Sequence, residues 1–121
     1  MKNSKPTGQL PTINRGVIVV VPKQAFYDWV SKIDKEMTNG PEIYEDQSSY
    51  LIPDDFISDD IEEILKKFYK RIFEEELYSM FTDESLWPAK RTWDVFCKWF
   101  DCHVSSMVFD LCDDDIYLEE D

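Results

Sequence analysis

The residues of this chain whose chemistry is most often put to work are Cys97, Cys102, His103 and Cys112. Thiols beside an imidazole suit either a metal centre or a nucleophile with its base. Their pattern, Cys97-x4-Cys102-His103-x8-Cys112, lacks the close Cys-x2-Cys knuckle of structural zinc. Cys102 and His103 are neighbours, so on a strand their side chains point to opposite faces and do not meet. Cys97 falls on the apolar stripe of a helix, where a free thiol serves as a small hydrophobe. No metal and no cofactor is expected from this set.

Carboxylates form a second group. Asp54, Asp55, Asp59 and Asp60 crowd one short stretch and could attract a hard cation. An EF-hand loop requires alternating acids, a central glycine and a terminal glutamate, none of which is present. A turn followed by the negatively charged start of a helix is the simpler reading. A third group, Asn14, Arg15, Lys23, His103 and Asp110, with Arg91 as a further candidate, flanks the predicted strands. Gathered in a cleft at the strand ends, it would support a small enzyme of unspecified reaction. Nucleotide-binding loops are not expected, because Gly8, Gly16 and Gly40 are isolated.

The fourth group is aromatic and basic. The stretch ESLWPAKRTWDVFCKWF, residues 84–100, holds three of the four tryptophans. Trp93, Phe96, Cys97 and Phe100 share one helical stripe and are expected in the core. Trp87 stands outside that stripe, in a loop with Pro88, Lys90 and Arg91. Trp and Arg are the side chains most enriched at binding hot spots. The expected contact site is therefore Trp87, Lys90 and Arg91 as anchor, with Asp54, Asp55, Asp59 and Asp60 steering a basic partner. The alternative is that Trp87 folds back to plug the end of the sheet.

The elements that must position these groups follow from periodicity. Val17–Val21 is an unbroken β-branched run closed by Pro22, which predicts a buried strand. Phe26, Trp29, Val30, Ile33 and Met37 form a helical stripe that Asn39-Gly40-Pro41 should end. SYLIP, residues 49–53, predicts a second strand. Ser58 is the expected cap of a long helix whose apolar face runs from Ile61 to Phe81. Opposite that face lie the i,i+4 pairs Glu62–Lys66, Glu63–Lys67, Lys70–Glu74 and Arg71–Glu75. A short helix over Trp93–Asp101 and a third strand within HVSSMVFDLC complete the set.

The predicted fold is α+β, a two-layer sandwich with a small three-stranded sheet and helices mainly on one face, in the order β-α-β-α-α-β. A right-handed β-α-β start would set the first two strands parallel. The expected core is Val17, Val19, Val21, Phe26, Trp29, Ile33, Leu51, Ile64, Leu65, Phe68, Ile72, Phe96, Phe100, Met107 and Phe109. One domain over residues 13–112 is expected, between a flexible lead-in at 1–12 and an acidic tail at 113–121.

Composition narrows the partners. The 121 residues carry 13 Lys+Arg against 26 Asp+Glu, a formal charge of −13, and 15% of them are aromatic. So much aromatic surface argues against disorder. The charge disfavours free nucleic acid and anionic membrane surfaces, both of which are bound through clustered Lys and Arg. The N-terminal residues have no apolar signal region, and the longest apolar run is only Val17–Val21. With an odd number of cysteines, this predicts a cytoplasmic protein.

Three phrases also carry a resemblance: INRGVIVVVPKQAFYDW, SSYLIP and TDESLWPAKRTWDVFCKWFDCHVSSMVFDL. They resemble an uncharacterised family of small acidic bacterial proteins. Its members share N-R-x-x-I-V-V-x-P-K-Q-x-F-x-D-W, then D-E-S-L-W-P-x-x-R-T and S-M-V-x-D-L. The likeness spans roughly residues 13–111, implies a stand-alone domain and brings no activity with it. The expectation for function is a non-catalytic acidic binding or regulatory protein acting on another protein. The alternatives are the small enzyme above, or a mimic of nucleic acid whose carboxylates occupy the groove of a DNA-binding protein.

Overall fold

A computed structural model of the chain describes residues 10–36, 47–55 and 60–120. Its order is β1 (Arg15–Pro22), α1 (Gln24–Ile33), β2 (Ser48–Pro53), α2 (Ile61–Met80), a 3-10 turn at Glu84–Leu86, α3 (Trp93–Trp99) and β3 (Phe100–Ser105). This is the expected α+β arrangement.

The β-branched run takes the centre of the sheet, where a strand pairs on both edges. The order is β2-β1-β3, with both neighbours antiparallel to β1. The expected parallel start is thereby overturned. The handedness rule governs a crossover between opposite ends of a sheet. Here β2 begins with Ser48 opposite Val20, at the end of β1 from which α1 departs, so no crossover is made.

One face of the sheet meets the helices. Ile18, Val20, Ile52 and Phe100 from the strands are buried against Phe26, Trp29 and Val30 of α1. Ile64, Leu65, Ile72, Phe73 and Leu77 of α2 and Phe96 of α3 complete the core. Val17, Val19 and Val21 lie on the other face and are only half-buried, while Leu51 is exposed. Both corrections are one error. A strand slipped by one residue exchanges its faces, and an all-apolar run contains no polar partner to say which face is inward. Val17 pairs with Leu51 and Gly16 with Ile52, so the two strands exchange together.

Helix boundaries move for local reasons. The first helix stops at Ile33 rather than near Met37, and Asp34 takes an extended conformation. The Asp34 carboxylate accepts from the Glu36 amide at 3.1 Å, a turn that competes with helical bonding. The expected stop at Asn39-Gly40-Pro41 lies outside the described residues. The long helix is capped by Asp60, whose carboxylate accepts from the Glu63 amide at 2.8 Å; Ser58, the expected cap, lies outside the described residues. Among the predicted pairs, Lys66–Glu62 closes as an ion pair at 3.5 Å and Arg71–Glu75 at 3.1 Å.

The short helix ends at Trp99 and passes into β3 at Phe100, without a loop. This strand therefore begins earlier than expected. The Lys23 amide donates to the Trp99 carbonyl at 2.7 Å and fixes the corner. Trp99 itself packs on Phe26, Trp29 and Phe73 with ring centroids 6.3, 5.7 and 5.6 Å away.

Candidate functional site

Past Ser105 the chain does not leave the sheet at once. Thr12 bridges Phe109 in antiparallel fashion, and the Ile13 amide donates to the Val108 carbonyl at 2.8 Å. Val17 lies five positions after Thr12 but Phe109 only four after Ser105, so the N-terminal strand carries a bulge. The result is a short two-stranded ribbon that extends the β1–β3 ladder beyond the helices. The part of the expected lead-in at residues 1–9 lies outside the described residues.

Among the described residues no second layer covers the ribbon, and its side chains are exposed. Met107 is 65% exposed, Phe109 45%, Leu111 87% and Leu10 45%. Met107 and Phe109 are therefore not core residues, contrary to expectation. The β-branched and aromatic content that predicts a strand here says nothing about whether anything packs on it. Leu10, Pro11, Thr12, Met107, Phe109 and Leu111 line an open groove of about 890 Å³. Along 107–111 the three large apolar residues are two apart, which puts them on one side of an extended chain. The tail continues the theme, with Ile116 at 69%, Tyr117 at 76% and Leu118 at 87% exposure among exposed acids.

A smaller cleft of about 330 Å³ lies where ribbon and sheet join. Asn14, Arg15 and Asp110 line it with Ile13, Leu51, Asp115 and Ile116. Three residues of the predicted polar group thus converge. The other two do not. Lys23 sits at the far end of β1, with its ammonium 2.8 Å from the Cys97 carbonyl and 3.4 Å from the Asp101 carboxylate. His103 is exposed on the open face of the sheet, opposite Val19.

The predicted contact site is also divided. Trp87 is half-buried against the core, and its indole donates to the Phe81 carbonyl at 2.8 Å. Arg91 lies 5.7 Å over the Trp87 ring and donates to the Pro88 carbonyl at 2.7 Å, while Lys90 is exposed. Trp29 reinforces the same loop by donating to the Leu86 carbonyl at 3.0 Å. Asp60 caps the other end of α2, and a 20-residue helix is about 30 Å long. Trp87 and Asp60 therefore cannot share one contact. Asp54 and Asp55 are exposed just past β2, at the sheet end from which the ribbon projects, because Pro53 pairs with Arg15. Asp59 lies outside the described residues.

Among the described residues, no cluster of three or more His, Cys, Asp or Glu could hold a metal ion. Cys97 is exposed rather than packed in the stripe of α3. Burial, with the Asp101 carboxylate, pushes the Cys102 thiol up to about 12, so it is protonated at neutral pH. Sequence periodicity missed one buried acid: Glu76 is 5% exposed on the core side of α2. The Tyr50 hydroxyl donates to its carboxylate at 2.5 Å. Burial and this bond raise the tyrosine well above its ordinary range. The pair joins β2 to α2 and opens onto neither groove.

No helix among the described residues is long and apolar enough to cross a membrane. Compared with known proteins, the chain matches no family model, no curated protein and no solved structure. What it does must therefore be read from its own surface, whose most distinctive part is an apolar ribbon set among carboxylates.

Proposed function

We propose that this chain is a non-catalytic, cytoplasmic binding or regulatory protein that acts by docking onto a basic protein. One observation carries the reading: seven of the eleven large exposed apolar side chains among the described residues gather on residues 10–12 and 107–118, within a chain of charge −13. Contiguous exposed apolar surface rimmed by polar groups marks interaction sites in folded proteins. Acidic surroundings select cationic partners and speed their approach, and they repel polyanions. The enzyme alternative has weaker support, because its polar residues are spread over both ends and the open face of the sheet.

Affinity capture from the native host at low and high salt tests this proposal. A basic protein should co-purify in stoichiometric amount, leave at high salt, and fail to bind a Met107→Ser/Leu111→Ser variant. The purified pair should then re-form. Absence of any partner that responds to both changes would sink the proposal. A partner displaced by duplex DNA would identify the mimic of nucleic acid as the form this binding takes.

A further inference from the structure

We propose that the ribbon receives an extended, cationic segment of the partner protein, with apolar residues at alternate positions. The inference rests on the acidic-binding reading and specifies its surface and the shape of what binds. Three observations lead to it.

The first is spacing. Met107, Phe109 and Leu111 recur at every second residue around the bridge at Phe109, a spacing of about 6–7 Å on an extended chain. An incoming strand carries its own side chains at the same interval, whereas the apolar face of a helix recurs every three to four residues. The exposed apolar residues are thus in register with an extended ligand. A methionine at one end of the row adapts its shape to varied partners.

The second is the backbone. The Val108 carbonyl is taken by Ile13 within the ribbon. Backbone groups alternate in direction along an antiparallel strand, so those of Phe109 face the outer edge. Addition of a strand to an open edge, with pockets reading alternate side chains, is an established way to bind a peptide.

The third is charge. Asp113, Asp114, Glu119 and Glu120 are exposed on the chain that continues from the groove, and Asp54 and Asp55 stand at the same end of the sheet. A second copy of this protein would bring another −13 to the contact, and like charges across an interface oppose it. A lysine- or arginine-bearing segment would neutralise it.

The test uses the full chain and short synthetic peptides followed by fluorescence anisotropy at several salt concentrations. One peptide alternates lysine and valine, a second has the same composition in two blocks, and a third alternates glutamate and valine. The alternating cationic peptide should bind about tenfold more tightly than the block peptide, a difference set by side-chain register. Phe109→Ser/Leu111→Ser should remove that advantage while the unfolding midpoint stays near that of the native chain. Asp113→Asn/Asp114→Asn should weaken both cationic peptides and flatten their salt dependence, and the glutamate peptide should not bind. Equal affinity for the two cationic peptides, or undiminished preference in the Phe109/Leu111 variant, would overturn the ribbon site. Salt-sensitive binding would survive in that case, leaving the acidic-binding reading intact. If neither cationic peptide binds at low salt, both proposals fall.

Discussion

The helix side of the sheet and the ribbon are built from the same kinds of residue and meet opposite fates. On the helix side, Phe73, Phe96, Phe100 and Trp99 pack edge to face or tilted, with centroid separations of 5.2–5.7 Å among the contacting pairs. At the ribbon, Met107, Phe109 and Leu111 are as apolar yet stand in solvent. The difference is the presence of a second layer. Helices α1, α2 and α3 bury Ile18, Val20, Ile52 and Phe100 of the sheet, whereas the ribbon lies past the end of the β1–β3 ladder and is exposed. Apolar surface on the first side stabilises the fold. On the second it contributes little to folding.

Truncation experiments can break this contrast. The largest effect is expected from Phe73→Ala, which empties a fully buried site and should cost about 3–5 kcal/mol in urea unfolding. A loss under about 1 kcal/mol would mean that the aromatic cluster is not the stabilising centre. Trp87 stands at the border between buried core and accessible surface. Trp87→Ala removes its packing and its bond to Phe81, so a loss of about 2–3 kcal/mol is expected. A neutral result would return Trp87 to the contact surface.

Tyr50→Phe leaves the buried Glu76 without its donor and should cost about 1–2 kcal/mol. It should also change the response to alkali. The folded-state pKa of Tyr50 is raised, so above the ordinary tyrosine value of about 10 the unfolded chain loses this proton first and stability falls. The variant should show a smaller decline than the native protein as the pH rises above about 10. An equal decline in both would mean that Tyr50 is not held in this way. The smallest effect is expected at the ribbon: Leu111→Ser should shift stability by less than about 0.5 kcal/mol. A loss comparable with that of Phe73→Ala would abolish the distinction between the two regions.

Much of the helix side was legible in the residues themselves. The stripe through Phe26, Trp29 and Val30, and that through Ile64, Leu65, Ile72 and Phe73, each identify a helix and its inward face. Strands gave less. Val17–Val21 announces a strand, but five consecutive apolar residues conceal which of two faces is inward, and the structure chose Ile18 and Val20. The candidate site was less legible still. Met107 and Phe109 have the composition of core residues, and only the end of the helical layer leaves them outside. Asn14, Arg15 and Asp110 do meet, whereas Lys23 and His103 were grouped with them only because all flank strands.

What the sequence determined by itself is local: helices from 3.6-residue periodicity, the β-branched strand, and the charge that favours a basic partner. These are properties of short segments or of the whole composition, and neither depends on which segment lies beside which. Tertiary structure alone decided the antiparallel order β2-β1-β3, the inward face of β1, the burial of Glu76 and the exposure of the ribbon. Each of these depends on contacts between residues far apart in the chain. A side chain is buried by its neighbours, not by its own polarity.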